Sequence, residues 1–472
     1  MTTAAVVGSG PNGLAAAIHL AQHGIEVTVY EMADVVGGGM RTSEHTLPGV
    51  LHDDCAAFHP TGVASPFFQS LTLADHGLTW LWPEVELAHP LDGGNAALLY
   101  RNVSRTAAGL GDDERRWSRA FGGLTNRCDE LLADALSPVV RWPSHPFLFA
   151  RFGMSSIPPA TWTARVFKTA EARALFGGSA AHALTSLRGP FSSAVGMMLT
   201  TVGQAYGWPV VRGGTIELAR ALSSYFAAQG GTIHTGVHVR SLSQIPAADI
   251  VMLDTSPTAA ISIMGDALPP KVRRAYGKYV YGPGAYKVDF AVRGDVPWTN
   301  SDVGRAGTVH CGGTFDEIVE AEHATSRGKM PVRPFVLVGQ QYLADPSRSK
   351  DGVNAIWAYA HVPHGFTGDA TEAIISQIER FAPGFRERIV GMFVRNTMEM
   401  AAYNPNYIGG DIAVGANTMK QMIMRPRIAV NPYATGARGV YLCSSATPPG
   451  GGVHGMCGLN AARAAIRSLK GD

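Results

Sequence analysis

Cysteine is scarce and unpaired in this chain: five in 472 residues, Cys55, Cys128, Cys311, Cys443 and Cys457, with no Cys-x-x-Cys spacing. That excludes a disulfide redox centre, and an odd, dispersed set predicts a reducing interior. An excess of charge is missing too. Lys plus Arg number 39 and Asp plus Glu 37, so the formal net charge is +2. Such balance leaves no footprint for nucleic acid. No apolar run approaches the ~20 residues of a membrane-spanning helix, and the mean hydropathy is +0.04. The 16 histidines are scattered, without His-Glu-x-x-His spacing, so no metal is expected. The first apolar strand begins near residue 4, leaving no room for a presequence, and a cytoplasmic location is the expectation.

Glycine, by contrast, is abundant, and three positions carry the first signal. Ala4-Ala5-Val6-Val7 runs straight into Gly8-Ser9-Gly10-Pro11-Asn12-Gly13, and a helical pattern over 14–23 follows. A second apolar strand, 25–30, ends in Glu31, followed by Met32. This is the pattern of a dinucleotide diphosphate held at a helix N-terminus, with an acid for the adenosine ribose. Strand, glycine turn, helix, second strand and acid all agree in order, which a chance glycine cluster does not achieve.

A second glycine turn decides between dinucleotides. Gly37-Gly38-Gly39-Met40-Arg41-Thr42 comes within a few residues of Glu31. Its backbone amides and the Arg41 fork suit further phosphate oxygens. NAD domains have no need of this clamp, whereas FAD lies extended across its domain, so FAD is the cofactor predicted. A third glycine-rich stretch lies near the C-terminus, where Ser444-Ser445-Ala446 follows a short apolar strand. Pro448-Pro449-Gly450-Gly451-Gly452-Val453-His454-Gly455-Met456 then leads into a helical run over 459–469. A positive helix end there would suit an anionic reduced flavin.

These three stretches resemble the phytoene desaturase-like FAD oxidoreductases. Asp53-Asp54-Cys55-Ala56-Ala57-Phe58-His59-Pro60 and Asn404-Pro405-Asn406-Tyr407-Ile408-Gly409-Gly410-Asp411 fit the same family. The resemblance implies one FAD and an α/β fold. A Rossmann-type FAD domain would be assembled from 1–75, 205–275 and 425–472. A discontinuous α+β substrate domain (mixed sheet plus helices) would come from 76–204 and 276–424. It also implies cofactor contacts from Gly8, Gly10, Pro11, Asn12, Gly13, Glu31, Met32, Gly38, Gly39, Met40, Arg41, Thr42, Val239, Ser444, Ser445, Gly452, Val453, His454 and Met456. One departure stands out: family members often carry Gly-Ala-Gly or Gly-Ala-Asp where this chain has Ser444-Ser445-Ala446, so no acid is present there.

Between these landmarks the pattern predicts helices at 114–136, 191–202, 216–229, 371–381 and 385–393. Strands are predicted at 232–242, 249–254, 335–340 and 355–361. Alternation of Tyr286, Val288, Phe290 and Val292 marks another strand. Thr215 is placed to cap the helix that follows it. The apolar stretch 191–202 serves either as core or as a cavity wall.

Candidate catalytic groups are few: His59, held rigid before Pro60; His454, in the last glycine loop; and Asp411. Each has a purely structural alternative, as a backbone-bonded histidine or a turn-stabilising Asp. Asp53 and Asp54, adjacent on an extended segment, point to opposite faces and form no acid/base couple. A covalent flavin link through Cys457 or His59 is not required by any spacing. The expected chemistry is desaturase- or dehydrogenase-type hydride transfer between an apolar, unsaturated small molecule and flavin N5, acting on C–H or C=C bonds. Two other readings stay open. One is an amine or amino-acid oxidase, for which Tyr403 and Tyr407 offer an aromatic cage. The other is a non-catalytic FAD-binding scaffold. Trp80-Leu81-Trp82 and Pro146-Phe147-Leu148-Phe149 suggest a peripheral membrane contact. Neither the electron acceptor nor the oligomeric state is written in the sequence.

Overall fold

The computed structural model describes residues 1–138 and 141–471. Two sheets organise it. The first has five parallel strands in the order Val440–Leu442, Ile250–Leu253, Thr3–Val7, Glu26–Tyr30, Thr232–His234. The strands come from three separated stretches of chain. Strand order reverses on either side of Thr3–Val7, which opens a crevice at the C-terminal ends of the strands. Thr3–Val7 is apolar along nearly its whole length because helices cover both faces of a parallel sheet.

The second sheet has seven strands, ordered Ile389–Arg395, Gly284–Arg293, Val353–Val362, Val336–Gly339, Ala306–Cys311, Val85–Pro90, Ala96–Leu99. It is antiparallel except where Ala306–Cys311 runs parallel to Val85–Pro90. Period-two alternation divides its side chains. Tyr286, Val288, Phe290 and Val292 share one core with Val336, Val338, Ile356 and Ala358. On the opposite face Leu337, Trp357 and Tyr359 pack with Phe176 and Met197 from the covering helices Ala170–Ala181 and Ser193–Ala205.

Several expected elements changed form. The stretch 114–136 is two helices, Glu114–Thr125 and Cys128–Ala135, broken at Asn126-Arg127. The stretch 385–393 is a short 3-10 turn followed by the strand Ile389–Arg395. Pairing with Gly284–Arg293 outweighed its helical spacing, and its β-branched residues fit an edge strand. The strand expected over 232–242 stops at His234, because only three residues find a partner beyond Glu26–Tyr30. Thr215 sits at the cap position but makes no side-chain capping bond. Its hydroxyl instead donates to the Ala56 carbonyl oxygen, 2.8 Å away. Trp80–Leu81 pairs with Val210–Val211, and Trp82 donates to the Tyr206 carbonyl oxygen, so this aromatic group is largely engaged. Phe147, in contrast, is 90 % exposed.

A buried ionic node ties together segments that lie outside the two sheets. Arg348 is fully enclosed, bonds Asp53 and Asp345, and donates to the Val211 carbonyl oxygen. Asp53 also accepts from Thr42 and from the Thr215 amide. One guanidinium thus organises the second glycine turn, the return segment at 211–215 and the loop at 345–348. Removing it strands two buried carboxylates. Arg348→Met is expected to cost about 3–5 kcal/mol of unfolding free energy, read by urea denaturation. A loss under about 1 kcal/mol would show that the node contributes little.

Candidate functional site

One large cavity, about 430 Å³, runs from the crevice of the parallel sheet to the inner face of the antiparallel sheet. Its first end is bordered by Tyr30, Glu31, Met32, Val237, His238 and Val239. The Glu31 carboxylate is fixed there, accepting from the Ser9 amide at 2.8 Å, the Ser9 hydroxyl at 2.6 Å and the Ala33 amide at 2.9 Å.

The middle is lined by Gly8, Gly10, Pro11 and Asn12, by Gly38, Gly39, Met40 and Arg41, and by Ser444 and Ser445. Gly8 has φ +102°, a conformation that side chains resist. A Cβ at Gly13 would lie 2.1 Å from the Gly8 carbonyl oxygen. Helix Pro11–Ala21 therefore starts flush against the strand before it, with its first amides at the cavity. Arg41 makes no ion pair among the described residues, and its buried Nε has no hydrogen-bond partner. Its guanidinium lies over Tyr403, 4.6 Å from the ring centroid. An unpaired cation beside a glycine turn and a helix N-terminus matches a diphosphate. With the acid at one end and the apolar space at the other, these residues fit FAD.

Tyr403 and Tyr407 serve this clamp. The Tyr403 hydroxyl donates to the Gly38 carbonyl oxygen at 2.8 Å, and the Tyr407 hydroxyl fills the space a side chain on Gly39 would take. Tyr403 is further sandwiched by Arg395, 4.3 Å from its ring. The pair thus braces the second glycine turn; Tyr407 also borders the cavity, whereas Tyr403 does not.

The far end is walled by Phe58, Leu184, Val195, Leu199, Trp208, Leu337, Trp357 and Tyr359, with Gly451, Gly452 and Val453 at its border. Helix Ser193–Ala205 is thus both core and wall, through Met197 and through Val195 and Leu199. His182 also borders this end. Its Nε2 lies 2.9 Å from the His310 Nε2, so one ring donates to the other. Burial, reinforced by the nearby His361, drives the His182 pKa down to about 3, which keeps the ring neutral at pH 7.

The three expected catalytic residues lie elsewhere. His59 is buried behind the cavity wall, 3.0 Å from the Thr215 hydroxyl. Because Thr215 gives its proton to Ala56, His59 is the donor. Burial lowers its pKa to about 4, so it is a neutral structural group. His454 accepts the Met456 amide on Nδ1 at 3.0 Å and caps the C-terminal helix, while its carbonyl oxygen accepts from Ser65 at 2.6 Å. The His454 ring thus satisfies one of the first amides of that helix, and the ring does not line the cavity. The Asp411 carboxylate accepts from the amides of Gly282, Ala413 and Gly415 at 2.7–2.9 Å, which makes it the anchor of a loop. The cavity lining also omits Gly13, Thr42 and Met456 among the expected cofactor contacts. Gly13 and Thr42 shape the two turns from behind. Cys457 is buried against carbonyl oxygens of Thr447 and Gly450, its thiol pushed up to about 12. A covalent flavin link through it finds no support in this placement.

Sequence reasoning missed Asp254, His182 and the Trp357–Tyr359 pair, whose rings lie 4.9 Å apart in an edge-to-face arrangement. For Asp254 the position follows only once the strand register is known. The residue directly follows Leu253, which pairs with Val7, so it had to lie opposite Gly8.

The geometry defines the class, that of an FAD-dependent oxidoreductase fold. Comparison with known proteins agrees. The NAD(P)-binding Rossmann-like domain family matches residues 6–71. The rat pyridine nucleotide-disulfide oxidoreductase domain-containing protein 2 is 23% identical over 551 residues, spanning 99% of this chain and 94% of that protein. Hydroxyneurosporene desaturase of Cereibacter sphaeroides is 32% identical over 255 residues, half of this chain (50%) and 49% of the desaturase. A solved structure of putrescine oxidase bound to putrescine superposes with a TM-score of 0.63 at 17% identity, covering 99% of both chains. In sequence the chain is thus similar to hydroxyneurosporene desaturase and to the rat protein, and in fold to putrescine oxidase.

Arg41 gives a direct test of the cofactor cleft. Arg41→Met should weaken FAD binding by about 1.5–3 kcal/mol, tenfold or more in Kd, followed by quenching of flavin fluorescence. An unchanged Kd would remove Arg41 from the diphosphate clamp.

Proposed function

We propose that this protein transfers hydride between an apolar, unsaturated small molecule and flavin N5, as a desaturase or dehydrogenase. The observation that carries this reading is the chemistry of the far cavity wall. Eight apolar or aromatic side chains line it, and His182 is held neutral. Among the described residues no Arg, Lys, Asp or Glu borders that end, so a carboxylate or ammonium there would go unpaired at a high desolvation cost. A polyene or acyl chain meets no such penalty, and its burial is favourable at ~25 cal/mol per Å² of apolar surface.

FAD, when bound, supplies the two-electron acceptor. The chain's own work is to bind, orient and keep out water. Trp357 and Tyr359 stand on one strand two residues apart, so both project from the same face of the sheet. Helix Ser193–Ala205 closes the opposite side through Val195 and Leu199. A flat substrate held between these walls is limited to a narrow set of orientations, which is the main catalytic contribution open to an apolar site. Among the described residues His182 is the one imidazole at this end. It can accept or donate a hydrogen bond to a substrate oxygen.

An amine oxidase is the second reading. The likeness in fold to putrescine oxidase and the edge-to-face Trp357–Tyr359 pair support it. Amino-acid substrates are disfavoured, because among the described residues no cation at the far end would hold a carboxylate.

Anaerobic mixing separates the possibilities. The flavin band should bleach with an unsaturated long-chain substrate panel and stay unchanged with putrescine and amino acids. Later exposure to oxygen or a quinone identifies the acceptor. Bleaching by amines with peroxide release would favour the oxidase instead. Flavin that no panel member reduces would point to a scaffold. Trp357→Ala should lower kcat/KM for the accepted substrate by tenfold or more while leaving FAD content intact.

A further inference from the structure

The carboxylate of Asp254 lies where a negative charge is least expected. Asp254 leaves the strand Ile250–Leu253 beside the first glycine turn, and its amide donates to the Val7 carbonyl oxygen at 2.9 Å. Its side chain then turns beneath the start of helix Pro11–Ala21. Oδ2 accepts the Gly13 amide at 2.9 Å and is the atom that a side chain on Gly10 would strike. The other oxygen makes no hydrogen bond among the described residues, and the residue borders the cavity. An internal anion therefore already uses the positive helix end that a dinucleotide diphosphate seeks.

The surroundings do not neutralise it. From the second strand it faces Glu31, a like charge. From the end of strand Val440–Leu442 it faces Cys443, whose thiol is pushed up by burial and stays neutral. From the helix it meets the Gly10 and Gly13 amides, and from the 404–411 loop the Asn406 side chain, which donates to its carbonyl oxygen. Among the described residues no Lys, Arg or His pairs with it. A diphosphate arriving at this helix end brings more negative charge to a group that already has a negative neighbour.

We propose that Asp254 is a cofactor-affinity residue: it shares the glycine-loop helix end with the FAD diphosphate, and FAD is taken up together with one proton carried by the Asp254 carboxyl. The proton comes from solvent, and no covalent bond in FAD changes. The protonated carboxyl keeps Oδ2 as acceptor for Gly13 and turns its other oxygen into a donor toward a phosphate oxygen. The inference rests on FAD being the ligand of this cleft. Before FAD arrives, burial together with Glu31 already raises the carboxyl to about 6, so little further is needed to hold the proton near neutrality.

The sign follows by linkage. Below pH 6 the carboxyl is already protonated and FAD affinity is flat. Above pH 6 each unit of pH must weaken binding by about tenfold, because a proton has to be recovered. FAD itself does not confuse the measurement, since its diphosphate is a diester without an ionisation near neutrality.

The test is FAD titration of the full-length apoprotein between pH 5.5 and 8.5, by flavin fluorescence and by calorimetry in two buffers of different ionisation enthalpy. The expected result is a Kd rising about a hundredfold from pH 6.5 to 8.5, with uptake approaching one proton. Asp254→Asn and Asp254→Ser should bind FAD more tightly than the parent at pH 8.5 and lose the slope. A Kd that changes less than twofold, no proton uptake, or an Asp254→Asn protein that keeps the slope would each overturn the proposal. If the variants do not fold, proton counting on the parent protein still decides. Failure to bind FAD at any pH would be a different failure: it would remove FAD from the cleft and this inference with it.

Discussion

The close approach of three backbones holds this molecule together at its working end. A Cβ on Gly458 would lie 1.8 Å from the Asn12 carbonyl oxygen, and one on Gly13 would lie 2.1 Å from that of Gly8. Helix Met456–Lys470 is thereby pressed onto helix Pro11–Ala21, and the latter onto its own preceding strand. These are steric limits, since backbone atoms cannot yield as a flexible side chain would. They force the two ends of the chain to meet. The walls contributed by 444–453 reach the first glycine turn only because the last helix lies this near.

Around that junction, polar groups are used as fasteners. His454 caps the last helix, Asp411 gathers three loop amides, and His59 bonds Thr215. Arg348 with Asp53 and Asp345 does the same between the second glycine turn and the loop at 345–348. Each is buried, and a buried polar group is tolerable only when its partners are supplied. This explains why the neighbourhood of the cofactor cleft is rich in ionisable residues that face away from it. The cleft itself keeps few charged or imidazole groups among the described residues: Glu31, Arg41, His238 and Asp254 at the nucleotide end, and neutral His182 at the other. Charge is concentrated where a diphosphate and a ribose bind, and excluded where an apolar substrate would lie.

Local pattern carried far in reading this chain. The first glycine turn, the second with Arg41, Glu31 and the Ser444-Ser445 turn all border the cavity, because backbone geometry and short-range order define them. Strand alternation at Tyr286–Val292 was legible for the same reason. Histidine roles were not. His59 and His454 stand beside cofactor motifs in sequence, yet which way a ring points depends on partners 156 and two residues away, Thr215 and Met456. Helical spacing over 385–393 misled because a neighbouring strand offered a better set of hydrogen bonds. The bracing of Gly38 and Gly39 by Tyr403 and Tyr407 was likewise not legible in their spacing.

By itself, then, the order of residues determined a dinucleotide fold, the choice of FAD over NAD and most of the lining of the cofactor cleft. Those features rest on glycine conformations and strand-turn-helix order, which act within a few residues. Beyond Glu31 and Arg41, tertiary structure alone decided which ionisable groups meet the cavity. It brought Asp254 beneath Gly10 and Gly13 from about 240 positions away, through parallel pairing of Leu253 with Val7. It also gathered Trp357, Tyr359, Leu199 and His182 into one apolar end. Such placements are set by sheet register and helix packing over the whole chain, and no local spacing records them.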